Sequence, residues 1–312
     1  MPVDGVLISL QKLRTLDLVE PSSAGRPLHL SAASGLVRAG EFLYVVADDE
    51  LQIGVFRSGR AEPGQLIRVF GGELPAPSKQ RKARKPDLEA LTLLPVSAHY
   101  PHGALLCVPS GSKARRHRGV LLALDEQGEP SGSAIECDFG GIFRALGGIS
   151  SLNIEGAFVS GEELCLLQRA NQGKRQNVIV RYGLLALLDA IRSGASLRPI
   201  GSHSVELGAI DGVALGLTDG AALPDGKFVF SAVAEDTTDA YLDGRCVGAA
   251  LGIADKEGRV DSLHRLDHPH KIEGVEAREE TGAVRLLLVT DADDANTAAC
   301  LYSATIPTWR AG

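Results

Sequence analysis

The stretch NIEGAFVSGEELCLLQR (153–169) has an acidic residue and a glycine at the start of one apolar run, then a glycine-centred turn and a second apolar run. Short apolar runs bounded by turn-forming residues are typical of antiparallel strands. The same acid–small–apolar pattern recurs in DLEALTLL with Glu89, AIDGVAL with Asp211 and KIEGVEA with Glu273. A fifth copy, ASGLVRAGEFLYVVADD, has Ser34 at the acidic position. The sequence therefore predicts a repeated β unit.

The five copies are 55 to 66 residues apart and together account for the chain. A unit of this length can hold four strands with long loops, as a propeller blade does. We therefore predict an all-β fold in which residues 1–312 form a single five-bladed β-propeller domain; six blades of about 50 residues are the alternative. The last repeat shows only three strands, so GVLISL…RTLDL near the N-terminus is expected to supply the outer strand that closes the ring. The segment LLALLDAIRS (184–193) has helical spacing.

Composition limits the classes of function. The chain has 312 residues, of which 44% are apolar and 23% charged, as in soluble globular proteins. Its 39 acidic and 32 basic side chains give a net charge of −7, which argues against a nucleic-acid-binding protein. No apolar run approaches the roughly 18 residues that a membrane-spanning helix needs. The motifs of serine hydrolases, zincins, P-loop proteins, dinucleotide-binding proteins and zinc ribbons do not occur in the sequence.

The start of the chain and the cysteines both indicate a cytoplasmic protein. Asp4 stands where a secretory signal would have basic residues. The five cysteines form no CxxC motif and lie in apolar, strand-like segments. Such cysteines are typical of buried free thiols in a reducing compartment.

The repeated acids are expected to meet at the centre of the ring. Inner strands of a propeller line a central channel, so Glu89, Glu155, Asp211 and Glu273 would converge there. Clustered carboxylates are costly unless a cation compensates them or they take up protons. An all-oxygen, flexible ligand set suits Ca²⁺ better than Mg²⁺. In the alternative interpretation, the acids accept hydrogen bonds from backbone amides of the neighbouring inner strand.

The loops on the same face carry opposite charges on opposite sides. Twelve of the 32 basic residues fall in three loops, at 79–85, 113–118 and 169–175. The corresponding loops of the other blades are acidic. This arrangement predicts a metal on one side and an anionic substrate or ligand on the other. The candidate anion-binding residues are Arg115, Arg116, Arg169 and Lys174. Asp211 and Asp291 are the candidate general bases on position alone.

The motifs NIEGAF (153–158), KIEGVE (271–276) and LLLVTDADD (286–294), with weaker copies at 87–91 and 209–214, resemble those of the phytase-like or esterase-like β-propeller proteins. They are more distantly similar to the calcium-dependent propeller hydrolases. The resemblance implies a propeller with an axial calcium and hydrolysis of an ester or phosphoester. Ser34 departs from the pattern in the first blade.

Three functional hypotheses follow. The first is a calcium-dependent hydrolase of a small anionic ester or phosphoester, in which the metal polarises the substrate and activates water. The second is a propeller that binds a ligand or protein without chemistry, since one fold hosts many functions. The third is a purely structural propeller whose acids bind backbone amides. Bound metal and chelator-sensitive hydrolysis would distinguish the first from the other two.

Overall fold

The computed structural model describes residues 7–149, 151–170, 176–236 and 244–307. Over these residues the chain forms 21 strands in five antiparallel sheets and three short helices. The strands follow one another outward within each sheet, which is the order of a propeller blade.

The strands and helices follow one another blade by blade along the chain, beginning with β1 (Gln11–Thr15). The first blade holds β2 (Ala33–Ala39), β3 (Phe42–Ala47), β4 (Gln52–Arg57) and β5 (Gln65–Arg68). Helix α1 (Ser78–Arg84) leads to the second blade, with β6 (Leu88–Leu94), β7 (Ala104–Pro109), β8 (Arg118–Ala123) and β9 (Ile135–Asp138). Helix α2 (Gly140–Ala145) leads to the third, with β10 (Ile154–Ser160), β11 (Glu163–Gln168), β12 (Asn177–Gly183), helix α3 (Leu184–Ser193) and β13 (Gly201–Val205). The fourth blade holds β14 (Ala209–Ile210), β15 (Val213–Ala222), β16 (Lys227–Asp236), β17 (Arg245–Asp255) and β18 (Val260–Arg265). The fifth holds β19 (Ile272–Glu280), β20 (Ala283–Thr290) and β21 (Cys300–Pro307).

The N-terminal strand closes the ring. β1 pairs antiparallel with β21, with Gln11 opposite Ser303 and Thr15 opposite Cys300, and becomes the outer strand of the fifth blade. Each inner strand packs against the inner strands of the adjacent blades, and β19 returns to β2. The five-bladed propeller and its closure are confirmed, and the six-bladed alternative is wrong.

Apolar side chains fill the spaces between blades. Five clusters of buried residues lie between successive blades, and the last joins the fifth blade to the first. The expected helix at 184–193 is present as α3, and its Leu187 and Ile191 are buried between the second and third blades. Gly194 ends this helix with a φ of 68°, a conformation that glycine adopts without steric cost. The five cysteines are free thiols, and the expected burial holds for Cys107, Cys137 and Cys165, whereas Cys246 and Cys300 are only partly buried.

A β-bulge near the start of each inner strand turns one side chain toward the channel. The bulge skips a single residue in four blades, namely Ser34, Glu89, Glu155 and Glu273. In β15 it skips Thr218 and Asp219. A bulge leaves the extra residue out of the ladder and re-aims its side chain. The bulges thus hold Glu89, Glu155 and Glu273, three of the four acids of the repeat.

Within the described residues, no helix combines the length and the apolar character needed to cross a membrane.

Candidate functional site

Three glutamates from three blades converge at one end of the channel. Glu89, Glu155 and Glu273 hold the bulge position of β6, β10 and β19, and the charge of Glu273 raises the pKa of the other two. Glu155 and Glu273 are buried, and Glu89 is partly buried. In the first blade Ser34 takes this position and donates a hydrogen bond to the carbonyl of Ala32 at 3.1 Å. The structure thus brings together three of the four expected ring acids.

Asp211 lies outside the ring. It sits in the turn between β14 and β15 with a φ of 50° and a side chain that is 65% exposed. Its carboxylate pairs with Arg265 at 3.1 Å. The motif AIDGVAL matches the inner-strand pattern, but Ala209 pairs with Ala214 in a tight hairpin instead. The expected position of Asp211 as an axial ligand and base is therefore wrong.

The fourth blade contributes Asp219 instead. Its Oδ2 accepts a hydrogen bond from the backbone N–H of Val275 at 2.8 Å, and the amides of Ala157 and Gly220 also lie close to the carboxylate. Burial raises the pKa of Asp219 well above its usual value, although these amide bonds oppose the shift. This is the backbone-binding role that the sequence left open. The signal was present in LTDGA (217–221), which repeats the acid-Gly-Ala of NIEGA.

Arg169 lies among the axial glutamates. Its guanidinium is 3.6 Å from the Glu155 carboxylate, 3.7 Å from that of Glu273 and 3.1 Å from that of Glu235 on the neighbouring blade. Burial disfavours its charged form, but the three carboxylates outweigh burial and raise the pKa of Arg169. Arg169 is therefore a cation held by three blades at once.

Lys271 compensates the other side of the same cluster. Its Nζ lies 3.4 Å from Glu235 and 3.6 Å from Glu273. Asp291, an expected general base, is 3.5 Å from this ammonium, and Asp293 is 2.5 Å away. Burial opposes the charge of Lys271, yet these acids raise its pKa well above the usual value. The acidic loop of the fifth blade therefore pairs with a cation of its own blade.

A second group of charges surrounds Asp87 at the start of the second blade. Its carboxylate contacts Lys85 at 2.9 Å and Arg116 at 2.7 Å, and it accepts a hydrogen bond from the Ser110 hydroxyl. Lys85 also bonds to Asp48 of the first blade. Asp87 has a φ of 63°, a conformation that costs energy in residues other than glycine and often marks functional sites. Here the positive φ belongs to a residue whose own carboxylate is buried and has two cationic partners, Lys85 and Arg116.

Several members of the expected basic arc form ion pairs with acidic side chains. Arg116 and Arg169 are held in the ion pairs just described, whereas Arg115 is exposed. Lys174 lies outside the described residues. In the first blade the acidic pair Asp49 and Glu50 is bound by two buried arginines. These are Arg26, at 2.9 and 3.0 Å, and Arg81, at 3.3 and 2.6 Å.

The carboxylates of the site divide into two classes by pKa. Burial, the charge of Asp87 and the charge of Glu273 raise the pKa of Glu89 to about 8. Burial and the charges of Glu235 and Asp291 raise the pKa of Glu273 to about 7, against Lys271 and Arg169. Burial also raises the pKa of Glu155 well above the usual range.

Asp87 and Glu235 shift the other way. Burial disfavours ionisation of both, but Lys85 and Arg116 lower the pKa of Asp87, and Arg169 and Lys271 lower that of Glu235. Neighbouring carboxyl groups with pKa values pushed apart can divide the roles of acid and base.

Carboxylates outnumber cations at this end of the channel. We call the following set of described residues the mouth cluster: the carboxylates Asp48, Asp87, Glu89, Glu155, Glu235, Glu273, Asp291 and Asp293, and the cations Lys85, Arg116, Arg169 and Lys271. Within this set eight acidic side chains face four cations, and the raised pKa values of Glu89, Glu155 and Glu273 offset part of the negative charge.

One part of the mouth cluster fits a metal by donor type and spacing. Oxygen atoms of Asp48, Asp87 and Glu89 all lie within 4.8 Å of one another. Three carboxylates are a ligand set that hard cations such as Ca²⁺ prefer. Lys85 already contacts Asp48 and Asp87, so its ammonium would have to move aside for a cation to bind there.

A family model matches residues 29–306, which include all five inner strands and the whole mouth cluster. The chain belongs to the family of unknown function DUF6929. No curated protein matches the sequence.

Several solved structures resemble this DUF6929 member over most of its length. A luciferin-regenerating enzyme is 10% identical, with a TM-score of 0.46, over 91% of this chain and 95% of that one. A putative glycoside hydrolase from Parabacteroides distasonis is 11% identical, with a TM-score of 0.44, over 96% and 97%. A hypothetical protein from Leishmania major is 10% identical, with a TM-score of 0.44, over 95% and 90%. Likeness at this level says nothing about activity, so function has to be argued from the site.

Proposed function

We propose that the protein is a calcium-dependent hydrolase of a small anionic ester or phosphoester that acts at the mouth of the propeller channel. The observation that carries the proposal is the composition of the mouth cluster, in which eight carboxylates meet four cations around one axis. Such a cluster offers a place for a divalent cation and for an anionic group side by side.

The cation would be held by Asp48, Asp87 and Glu89, whose oxygen atoms lie within ligand spacing. When bound, Ca²⁺ supplies charge neutralisation and polarisation of the ester or phosphoryl oxygen. The proton that Glu89 retains near neutral pH would be released as it becomes a ligand. Lys85 would turn away from Asp48 and remain available to an anion.

Glu273 is the proposed acid–base residue. Its pKa of about 7 allows it to exist in both protonation states at neutral pH, which is the condition for efficient proton transfer. Arg169 and Lys271 contact the same carboxylate and hold it in place. Glu273 would take a proton from the attacking water and return it to the leaving oxygen.

The anion would be bound by the cations at the rim. Arg115 is exposed and precedes Arg116, which forms the buried ion pair with Asp87, in the same loop. A guanidinium in this position can bind a phosphate or carboxylate through two parallel hydrogen bonds. Arg169 contributes positive charge deeper in the site, where negative charge develops on the reacting group.

Release of nitrophenolate from p-nitrophenyl phosphate, followed with calcium and with chelator, tests the proposal. The parent should show calcium-stimulated hydrolysis, and Glu89→Gln and Glu273→Gln should each lose at least about tenfold in kcat/KM. Glu136→Gln is the matched control, because Glu136 is half-exposed and pairs with Arg118 outside the mouth cluster. No hydrolysis by the calcium-loaded parent would reject the enzyme.

A binding protein without catalysis is the second candidate. The specific observation in its favour is that Lys85, Arg116, Arg169 and Lys271 are all engaged in ion pairs. A network that is already connected can recognise a ligand by exchanging partners without any bond breaking. Calorimetric binding of inorganic phosphate with no turnover of its esters would support this candidate.

A further inference from the structure

A groove of about 570 Å³ lies at the seam between the first and fifth blades, near the strand that closes the ring. It is lined by β1, by the later part of β2 and by all three long strands of the fifth blade. Its size is within the range of sites that hold small organic ligands. Two lining residues belong to inner strands: Arg38 is four residues beyond Ser34 in β2, and Glu276 is three residues beyond Glu273 in β19. The groove therefore opens about 10–13 Å along these strands from the bulge positions.

One wall of the groove is apolar and in part open to solvent. Leu7 and Leu13 are 58% and 47% exposed, which is high for leucines on elements that close a ring. Leu286 and Leu287 of β20 also line the groove, with Leu286 buried in the core and Leu287 partly buried. Exposed apolar residues that line a shared concave surface are typical of ligand grooves.

The charges in the groove are unevenly paired. Arg285 binds Glu280 at 2.6 Å, but Arg38 makes only one hydrogen bond among the described residues, from Nε to the carbonyl of Gly40 at 3.3 Å, and no ion pair. Arg278 is exposed, and its charge and that of Arg38 both favour the ionised form of Glu276 and so oppose the rise in its pKa. Burial raises the pKa of Glu276 despite both arginines, and Glu276 forms no ion pair with either of them among the described residues.

We propose that this groove is a second ligand site, which takes an amphipathic monocarboxylate. The apolar body would lie against the exposed Leu7 and Leu13, and the carboxylate would be held by the guanidinium of Arg38. An arginine that forms no ion pair with the described residues, beside an apolar wall, is complementary to this class of molecule. The site is separate from the mouth cluster and does not depend on the function proposed there.

Octanoate is the probe, and titration calorimetry with the full chain is the measurement. Octanoate should bind, and octylammonium, which has the same chain length and the opposite charge, should bind at least about tenfold more weakly. Arg38→Met keeps the length of the side chain and should weaken octanoate binding by about tenfold. Arg57→Met is the matched control on the same blade, because Arg57 is exposed and pairs with Glu41 outside the groove.

Leu13→Ser tests the apolar wall and should also weaken octanoate binding, with thermal melting used to verify that the ring stays closed. Failure of the full chain to bind octanoate overturns the proposal, as does binding that Arg38→Met leaves unchanged. Binding that appears only after residues 308–312 are deleted also overturns it, because a segment of the chain itself would then be the occupant.

Discussion

The carboxylate of Asp219 accepts a hydrogen bond from the backbone N–H of Val275, 2.8 Å away, and so ties the inner strand of the fourth blade to that of the fifth. The amide of Ala157 on the third blade lies close to the same carboxylate. One oxygen of this side chain thus accepts a backbone hydrogen bond across the blade boundary, while the other, Oδ1, is buried without a hydrogen-bond partner among the described residues. The acids near the axis therefore have different tasks, since Asp219 binds backbone while Glu89, Glu155 and Glu273 face other charges.

The first prediction concerns this contact. Asp219→Ala should lower the free energy of unfolding by about 2 kcal/mol, because the buried amide of Val275 loses its acceptor. Asp219→Asn keeps an acceptor oxygen and should cost clearly less. Urea unfolding measures both, with Asp189→Ala as the control at a side chain that is 81% exposed. Equal stability of parent and Asp219→Ala would show that this contact contributes nothing.

The second prediction concerns calcium. Ca²⁺ that binds only the folded protein should raise the melting temperature, with a gain of about 2.7 kcal/mol at a free concentration 100 times the dissociation constant. Glu89→Gln should reduce this shift, because it removes one ligand charge. In chelator the same variant should be neutral or stabilising, because it removes a carboxyl group whose ionisation is disfavoured by burial and by the charges of Asp87 and Glu273.

Thermal melts of parent and Glu89→Gln, each with calcium and with chelator, make the comparison. Glu136→Gln should behave like the parent throughout, since Glu136 lies outside the mouth cluster. A parent whose melting temperature is indifferent to calcium would rule out the metal.

The third prediction is a fall in stability as pH rises from about 4.5 to about 8. Glu89 and Glu273 have pKa values of about 8 and about 7 in the folded protein, against 4.5 when unperturbed. Over this interval the folded state holds protons that the unfolded state has released, so unfolding becomes easier by on the order of 1.4 kcal/mol per pH unit for each proton retained. Urea unfolding in metal-free buffers across this range gives the slope.

The double variant Glu89→Gln, Glu273→Gln should flatten that slope, because it removes two of the retained protons. Asp87 and Glu235 act in the opposite direction at low pH. Their pKa values are lowered in the folded protein, so the stability that they contribute is lost as pH falls through those lowered values. A slope that stays the same in the double variant would contradict the assignment of these two protons.

The fourth prediction concerns ring closure. Deletion of residues up to Leu18 removes β1 and the buried Leu16 and Leu18, and it leaves β21 as an open edge. The two leucines alone should cost on the order of 5 kcal/mol. Gln11→Ala is the control, because Gln11 is exposed on the same strand and should change stability by less than about 0.5 kcal/mol. A truncated protein that melts like the parent would contradict closure by β1.

The position of the acids shows where inference from sequence stops. The repeat led to Glu89, Glu155 and Glu273, because each precedes a small residue and an apolar strand within one local stretch. The same rule selected Asp211 over Asp219, although both lie before suitable apolar residues. Only the pairing of Ala209 with Ala214 shows that Asp211 belongs to a hairpin turn.

The charged loops show the same limit. Their composition predicted basic residues on one side and acidic residues on the other, whereas the structure places Arg169 among carboxylates of three blades. Composition could not show that Arg169 forms an ion pair with Glu235, or that Lys271 pairs with Glu273 and Asp293. Which partners meet depends on how far each side chain extends in the folded protein. The exposed Arg115 and the buried Arg116 are adjacent in sequence and differ entirely in surroundings.

The sequence by itself determined the number of blades, the strand that closes the ring and three of the axial acids. These features follow from local periodicity and turn residues, which act over a few residues and repeat five times. The tertiary structure alone decided which carboxylates keep their protons, which cations neutralise the rest and which acid binds backbone. Those outcomes depend on burial and on distances of a few ångströms between side chains some 60 residues apart, and a bulge of one residue is enough to change them.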